Sequence, residues 1–111
     1  MPRVNTVQEI FANIGQNFKP DKAEGVDAIF QFVLTGDNGG NYWIKVANKQ
    51  ADVHEGENEA PTMVVTATAD DYLALVNGDL NPMMAFMQGK IKVKGEMALA
   101  LKLQALFGLG A

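Results

Sequence analysis

A group of ionisable side chains around the single histidine is the first place where this sequence could support chemistry. The group consists of Asp52, His54, Glu55, Glu57 and Glu59. Carboxylates and an imidazole can hold a metal ion when their spacing lets them converge on one point. These residues alternate along the chain instead of following a known ligand spacing, and the intervening Gly56 and Asn58 indicate a solvated loop. We therefore expect no metal site here.

The residue types that common covalent catalysis requires are missing. The chain contains no cysteine and no serine, which excludes disulfides, thiolate ligands, a cysteine nucleophile and a serine hydrolase. Asp70 and Asp71 are adjacent, and capping or helix-dipole roles at a helix start explain them. The glycines between Gly36 and Gly40 match neither phosphate-binding pattern and indicate a hairpin turn. The sequence predicts no enzymatic activity, no catalytic residues and no cofactor.

The charge distribution argues against a nucleic-acid partner. The net charge is −4, and Arg3 is the only arginine, whereas phosphate recognition depends on arginine and a positive field. Lys90, Lys92 and Lys94 alternate with apolar residues and form a small basic strip. A solvated strand face is one interpretation of this strip, and a transient contact with membrane headgroups is the other.

Length and composition predict one domain that spans residues 1–111. A chain of 111 residues with 48% apolar residues can bury a single core without disulfides or metals. The first residues lack the apolar stretch of a signal peptide, and no window is long enough to span a membrane. The last residues do not form a peroxisomal address. We therefore expect a cytoplasmic protein.

The first two thirds of the chain predict a helix followed by strands. Apolar residues from Val7 to Phe18 recur at helical spacing, with Thr6 as N-cap and Glu9 completing a capping box. The period then changes to two, which predicts strands over 26–35, 42–47, 52–54 and 62–68. Asn48-Lys49 is typical of a tight reversal. Three hairpin-like connections predict an antiparallel meander with one buried face.

The last third predicts short helices and one more strand. Thr68 or Asp70 can cap a helix that ends near Gly78, and Asn81-Pro82 begins another that stops at Gly89. The alternation over 90–94 predicts a strand at a sheet edge, and a final helix is expected over 96–107. The fold class is α+β, with a mostly antiparallel or mixed five-stranded sheet and helices on one face.

The helices carry more apolar residues than a single buried stripe requires. In the final helix, Leu99, Leu103 and Phe107 share one side, while Met97 and Leu101 lie on another. Either this helix is wedged between the sheet and a second helix, or one of its sides lines a ligand cavity. The methionines of the preceding helix leave the same two interpretations open, because flexible thioethers fill cores and also adapt to varied apolar ligands.

The segment NPMMAFMQGKIKVKGEMALALKLQALF (81–107) resembles the C-terminal signature of the sterol carrier protein 2 family. The matching elements are Asn81-Pro82, Ala85-Phe86, Gln88-Gly89-Lys90, Gly95 and the helix over 99–104. Upstream, FQFVLTG (30–36), Gly39-Gly40 and Trp43 follow in family order. The resemblance covers about residues 26–107.

This resemblance implies a five-stranded sheet covered on one side by helices, with an apolar tunnel between them. It implies a non-enzymatic lipid carrier that binds a sterol, fatty acid, acyl-CoA or phospholipid. Because chain ends open locally at lower free energy than central strands, we expect the terminal helix to act as a lid for this carrier. The alternative is an accessory module that presents an apolar substrate, such as a quinone precursor, to an enzyme complex or scaffolds that complex. Carried over by position, the ligand-binding residues are Phe30, Phe32, Met83, Met84, Phe86, Met87, Gln88, Leu99, Leu103, Gln104 and Phe107.

Overall fold

The computed structural model describes residues 3–96 and 98–107 of the chain. Four α-helices and five strands follow one another in the order helix, four strands, two helices, strand, helix. They are α1 (Val7–Asn13), β1 (Ala28–Thr35), β2 (Gly40–Ala47), β3 (Gln50–Glu55), β4 (Met63–Thr68), α2 (Ala69–Val76), α3 (Pro82–Met87), β5 (Ile91–Gly95) and α4 (Ala98–Phe107). Two 3-10 turns, Ile14–Asn17 and Pro20–Lys22, connect α1 to β1. The predicted α+β class is confirmed.

The five strands form one mixed sheet in the order β3-β2-β1-β4-β5. The β1–β2, β2–β3 and β4–β5 pairs are antiparallel, and β1–β4 is parallel. The predicted meander is therefore wrong at its third connection, because β4 does not turn back on β3 but passes over to β1. The predicted edge position of the lysine-bearing strand β5 is confirmed.

A buried glutamine anchors the connection that makes this crossover. Residues 56–62 leave β3 and reach the start of β4 across the face of the sheet that carries Gln31, where Thr62 N–H donates to the Ile29 carbonyl. The Gln31 side chain donates to the Tyr42 and Gly56 carbonyls, both at 3.1 Å, and accepts from Asn58 N–H at 2.7 Å. Gln31 is only 3% exposed, so these bonds satisfy a polar group that would be costly to bury alone. They hold the crossover on the sheet.

The opposite face of the sheet carries the core. Strict alternation in β1 and β2 places one set of apolar side chains inward, including Phe30, Phe32 and Ile44, which are fully buried. α1 covers part of this face through Val7, Ile10 and Phe11. The helix begins as predicted, since Glu9 N–H donates to the Thr6 hydroxyl at 3.1 Å.

Three residues with positive φ, at two places in the chain, show how local sequence determines the turns. Asn48 and Lys49 have φ values of 54° and 60°, which is the left-handed pair of a two-residue hairpin, so the predicted reversal is confirmed. Gly95 ends β5 with φ of 106°, and a Cβ there would collide with the Thr62 carbonyl oxygen. Only glycine allows the chain to leave the sheet edge towards α4 at this point.

The start of the chain is tied to the turn after α2. The Val4 N–H donates to the Asn77 amide oxygen and the Asn77 amide donates to the Val4 carbonyl, each at 2.8 Å. Beside this pair, the Arg3 guanidinium contacts Asp79 at 2.6 Å. This ion pair lowers the pKa of Asp79, chiefly through the hydrogen bond from Arg3.

Candidate functional site

An aromatic cluster occupies the interior between the sheet and the first two helices. Phe11 of α1 stacks on Tyr42 of β2, with ring centroids 4.2 Å apart, and meets Phe32 edge-on at 5.2 Å. Tyr72 of α2 also contacts Phe32, with ring centroids 5.8 Å apart. These contacts place Phe32, a predicted ligand-binding residue, among protein rings at the centre of the apolar interior.

Among the described residues, the Tyr72 hydroxyl is the one buried side-chain polar group that lacks a hydrogen-bond partner. Tyr72 is only 2% exposed, and burial raises the pKa of its hydroxyl far above the ordinary value for tyrosine. An unpaired buried hydroxyl costs free energy that a bound water or ligand atom can recover. Tyr72 is therefore a polar contact available to a molecule that enters the apolar interior.

The last helix closes the interior against the 3-10 turns that follow α1. Leu103, Leu106 and Phe107 of α4 are buried. The Phe107 ring lies 5.4 Å from that of Phe18, and Lys19 N–H donates to the Leu106 carbonyl at 2.8 Å. These contacts attach the C-terminal end of α4 to the segment that follows α1.

A cleft of about 370 Å³ opens beside the beginning of α4. Its walls are the segment 24–28 before and within β1, Thr62 at the end of the crossover, and Glu96, Ala98, Leu99 and Lys102. Val26, Ala28 and Leu99 give the cleft apolar walls, while Glu24, Asp27, Glu96 and Lys102 supply charged groups. This volume is within the range of small-molecule sites.

The helix α3 presents its apolar side chains to solvent. Asn81 caps it by accepting from the Met83 and Met84 amides at 2.9 and 3.2 Å, and Ala85 faces the core. Met83 is 72% exposed and Met87 79%, with Met84 and Phe86 about half exposed. Such a concentration of exposed apolar side chains on one short helix marks an interaction surface.

The predicted ligand-binding residues divide into three locations. Phe30, Phe32, Leu103 and Phe107 lie in the core, and Leu99 lies at the cleft. Met83, Met84, Phe86, Met87 and Gln88 lie on the surface around α3. The Gln104 side chain and Met97 fall outside the described part of the structure, as does the Leu101 side chain. Contact of any of these residues with a ligand stays a prediction.

The histidine region offers no converging ligands. His54 stacks on Trp43 across the β2–β3 pair, with ring centroids 4.1 Å apart. Glu55 points to the other face of the strand, because neighbouring residues alternate. Within residues 3–96 and 98–107, no three His, Asp or Glu side chains are grouped to hold a metal ion.

The helices in those ranges are all too short or too polar to cross a bilayer.

Sequence reasoning missed Tyr72, Gln31 and the cleft walls at Val26, Ala28 and Thr62. Gln31 gave a signal, since it is the one polar residue between the phenylalanines of an otherwise apolar strand. Tyr72 lies within the helix that the sequence predicts between Thr68 and Gly78, but the environment of its hydroxyl depends on packing against the sheet. The cleft forms from three distant segments, and no local pattern connects them.

Comparisons with known proteins give one consistent relationship. Residues 7–108 match the model of the SCP-2 sterol transfer family. The human hydroxysteroid dehydrogenase-like protein 2 is 38% identical over 106 residues, which are 95% of this chain and 25% of that protein. This chain therefore spans about a quarter of the length of such curated relatives.

Two solved structures extend the relationship to the fold. The sterol carrier protein domain 2 of Helicoverpa armigera is 33% identical, with a TM-score of 0.69 over 87% of this chain and 79% of that one. Palmitated SCP2L2 of Aedes aegypti is 29% identical, with a TM-score of 0.69 over 89% of this chain and 87% of that one. The five-stranded sheet with helices on one face is thus shared with these domains.

Proposed function

Because the chain belongs to the SCP-2 sterol transfer family, we propose that it is a non-enzymatic carrier that holds a lipid in its apolar interior. The ligand class we propose is a single fatty acyl chain, free or as part of an acyl-CoA or phospholipid, with a sterol as the competing cargo. The observation that carries the proposal is the apolar interior between sheet and helices, beside which the cleft at Leu99 opens. The related SCP2L2 domain is palmitated, which supports the acyl chain.

The driving force is the removal of methylenes from water. Each buried methylene contributes about 0.8 kcal/mol, so a palmitoyl chain gains on the order of 10 kcal/mol in the interior. Loss of ligand freedom and displacement of packed side chains offset much of this gain. We therefore expect micromolar affinity for the lipid and weak selectivity between different acyl chains.

Entry requires the beginning of α4 to move. This end borders the cleft through Ala98 and Leu99, and a ring contact to Phe18 and a hydrogen bond from Lys19 hold the other end of α4. Terminal elements open locally at lower free energy than central strands. Leu103 and Phe107 are proposed to contact the acyl chain once it has passed Leu99, and Tyr72 is proposed to bind an acceptor atom of the cargo.

Native mass spectrometry of the freshly purified protein, followed by organic extraction, tests the carrier function. The expected result is a near-stoichiometric fatty acid or phospholipid that an excess of palmitate displaces. A protein that is ligand-free and stays so after incubation with palmitate, oleoyl-CoA, phosphatidylglycerol and cholesterol would exclude the proposal.

A pair of tryptophan substitutions tests the entry point. Leu99→Trp fills the cleft and is expected to weaken binding of a fluorescent fatty acid by about tenfold or more. Ala105→Trp adds the same side chain at an exposed position of the same helix and is expected to leave the affinity unchanged. Equal effects of both variants, or no effect of either, would place the entry elsewhere.

A second candidate function is an accessory module that presents an apolar substrate to an enzyme or scaffolds its complex. The observation that favours it is the length of the curated relatives, of which this chain matches only a quarter. An accessory module forms a stable complex with a partner enzyme, whereas a free carrier purifies alone with its lipid. Co-purification by a tag on this chain distinguishes the two.

We further propose that residues 1–111 act as one domain in the cytoplasm. The described core is continuous from α1 to α4, and a chain without cysteine has no need of an oxidising compartment. Limited proteolysis that leaves one resistant fragment, and fluorescence imaging of the tagged protein in its own cell, are the corresponding tests.

A further inference from the structure

We propose that α3 and the adjoining lysines of β5 form a docking surface for anionic membranes. This surface, the α3 patch, consists of Met83, Met84, Phe86, Met87, Lys90, Lys92 and Lys94. It concerns where the protein meets a bilayer, not which cargo it binds.

The apolar part of the α3 patch has no partner among the described residues. Met83 and Met87 are more than two thirds exposed, and Phe86 is 48% exposed. Ala85 meanwhile faces the core, and the Lys90 N–H donates to the Ala85 carbonyl at 2.9 Å. The helix is therefore fixed to the protein by one side while it offers thioethers and a phenyl ring on the other. Side chains of this kind partition into the boundary between headgroups and acyl chains.

The charge of the surrounding segment identifies the partner as anionic. Residues 80–95 contain three lysines and no acidic residue, whereas the other 95 residues carry six basic and thirteen acidic side chains. The cross-strand neighbours of Lys92 and Lys94 are Thr66 and Val64, and neither lysine forms an ion pair within the described ranges. The nearest preceding acid, Asp79, is already neutralised by Arg3. The positive charge is thus concentrated in the segment that contains the exposed helix, in an otherwise acidic protein. Lys92 and Lys94 alternate with the inward-facing Ile91 and Val93, so their side chains leave the edge strand on the face of the sheet opposite the helices.

A bilayer fits this combination better than a second copy of the chain. A two-fold symmetric contact through the α3 patch would bring the lysines of both copies together, and like charges oppose such a contact. Lysine side chains on an edge strand can instead extend to lipid headgroups while the helix inserts.

Vesicle flotation with defined lipids tests the proposal. The protein is expected to bind vesicles that contain 30% phosphatidylglycerol and not pure phosphatidylcholine, and to be released by salt. Met83→Gln with Met87→Gln should weaken binding by about tenfold or more, and Met83→Leu with Met87→Leu should restore it, since leucine keeps the apolar surface. Both positions of change are largely exposed, so we expect folding to be preserved.

The contribution of the lysines is tested by comparing two triple variants that have the same net charge. Lys90→Gln, Lys92→Gln and Lys94→Gln together should weaken binding by on the order of 100-fold. Lys22→Gln, Lys45→Gln and Lys49→Gln remove the same charge from other exposed positions and should have a much smaller effect. Equal losses in the two triple variants would show that net charge alone drives binding and would overturn the proposal.

A site-specific dye reports the orientation of the docked protein. The chain has no cysteine, so Met87→Cys and Lys49→Cys each provide a unique labelling position. An environment-sensitive dye should shift to the blue on vesicle addition at position 87 only. A shift at position 49 alone, or a methionine-dependent dimer with no vesicle binding, would refute membrane docking. Fatty-acid binding is measured on the same variants without vesicles, so a failed carrier function remains distinguishable.

Discussion

The buried hydroxyl of Tyr72 leads to a prediction with opposite signs for stability and ligand affinity. The hydroxyl has no hydrogen-bond partner among the described residues and is removed from water. Leaving a polar group in this state costs about 1–3 kcal/mol. Tyr72→Phe deletes the group, keeps the ring that contacts Phe32, and leaves only a small void.

The expected gain in unfolding free energy of the ligand-free protein is about 1 kcal/mol, at the lower end of that range because the void offsets part of it. For a domain of this length the gain raises the melting temperature by about 4 °C. Differential scanning calorimetry of delipidated protein measures it. Tyr42→Phe is the control, since it deletes the hydroxyl from a less enclosed ring of the same cluster and should change the stability less.

The same substitution should weaken the binding of cargo that carries a hydrogen-bond acceptor. A net contribution of about 0.5–1.5 kcal/mol for the lost bond corresponds to an affinity lower by about 2- to 12-fold. Two fluorescent probes separate this effect from general packing. cis-Parinaric acid has a carboxyl group and should bind more weakly to the variant, whereas diphenylhexatriene has no polar group and should bind equally well.

Two results would refute this reasoning about Tyr72. A variant destabilised by 1 kcal/mol or more would show that the hydroxyl has a structural partner. Equal weakening for both probes would show that the ring, not the hydroxyl, matters for cargo.

Three further predictions follow from contacts described above. Phe18→Ala removes the ring beside Phe107 and should speed fatty-acid release in stopped-flow experiments by about fivefold or more. The exposed Gln16→Ala is the control and should leave the release rate unchanged. An unchanged rate for Phe18→Ala would mean that α4 is not the lid. Gln31→Leu removes three hydrogen bonds that hold the crossover and should lower the unfolding free energy, measured by urea titration, by about 2–4 kcal/mol. Lys45→Gln, at an exposed position of the neighbouring strand, is the control and should leave the unfolding free energy unchanged. The hydrogen bond from Arg3 lowers the pKa of Asp79 below its ordinary 3.8, so the ion pair stabilises the fold above that pH and loses its contribution as the pH falls through the lowered pKa. Asp79→Asn should therefore make the unfolding free energy depend less on pH in this window. An identical pH dependence in the variant would contradict the assignment.

The sequence predicted local structure well because local rules govern it. The Thr6 cap, the Asn48-Lys49 reversal and the Asn81-Pro82 helix start each depend on a few neighbouring residues, and the structure confirms them. The resemblance of residues 81–107 to a known signature predicted the family, which the comparisons confirm.

The long-range arrangement was not predictable in the same way. The pairing of β4 with β1 depends on where the crossover settles, and its anchor Gln31 bonds to residues 11, 25 and 27 positions away. Period-two alternation assigns Gln31 to a face but does not reveal that a loop covers that face. The exposure of α3 is likewise a tertiary property, because an apolar stripe predicts burial unless the rest of the fold fails to cover it.

The positions of the cleft and the α3 patch imply how docking and release are connected. The strand β5 connects the α3 patch to the cleft. A short turn joins α3 to the beginning of β5, and Gly95 at the end of β5 adjoins Thr62 and Glu96, which line the cleft. A strand of this length spans roughly 16 Å, which sets the separation between α3 and the cleft along β5. β5 is an edge strand that pairs within the sheet with β4 alone and is also contacted by α3, and Gly95 ends it with a positive φ. The docking and carrier proposals together therefore predict that displacement of β5 by membrane contact favours the movement of α4 that admits and releases cargo.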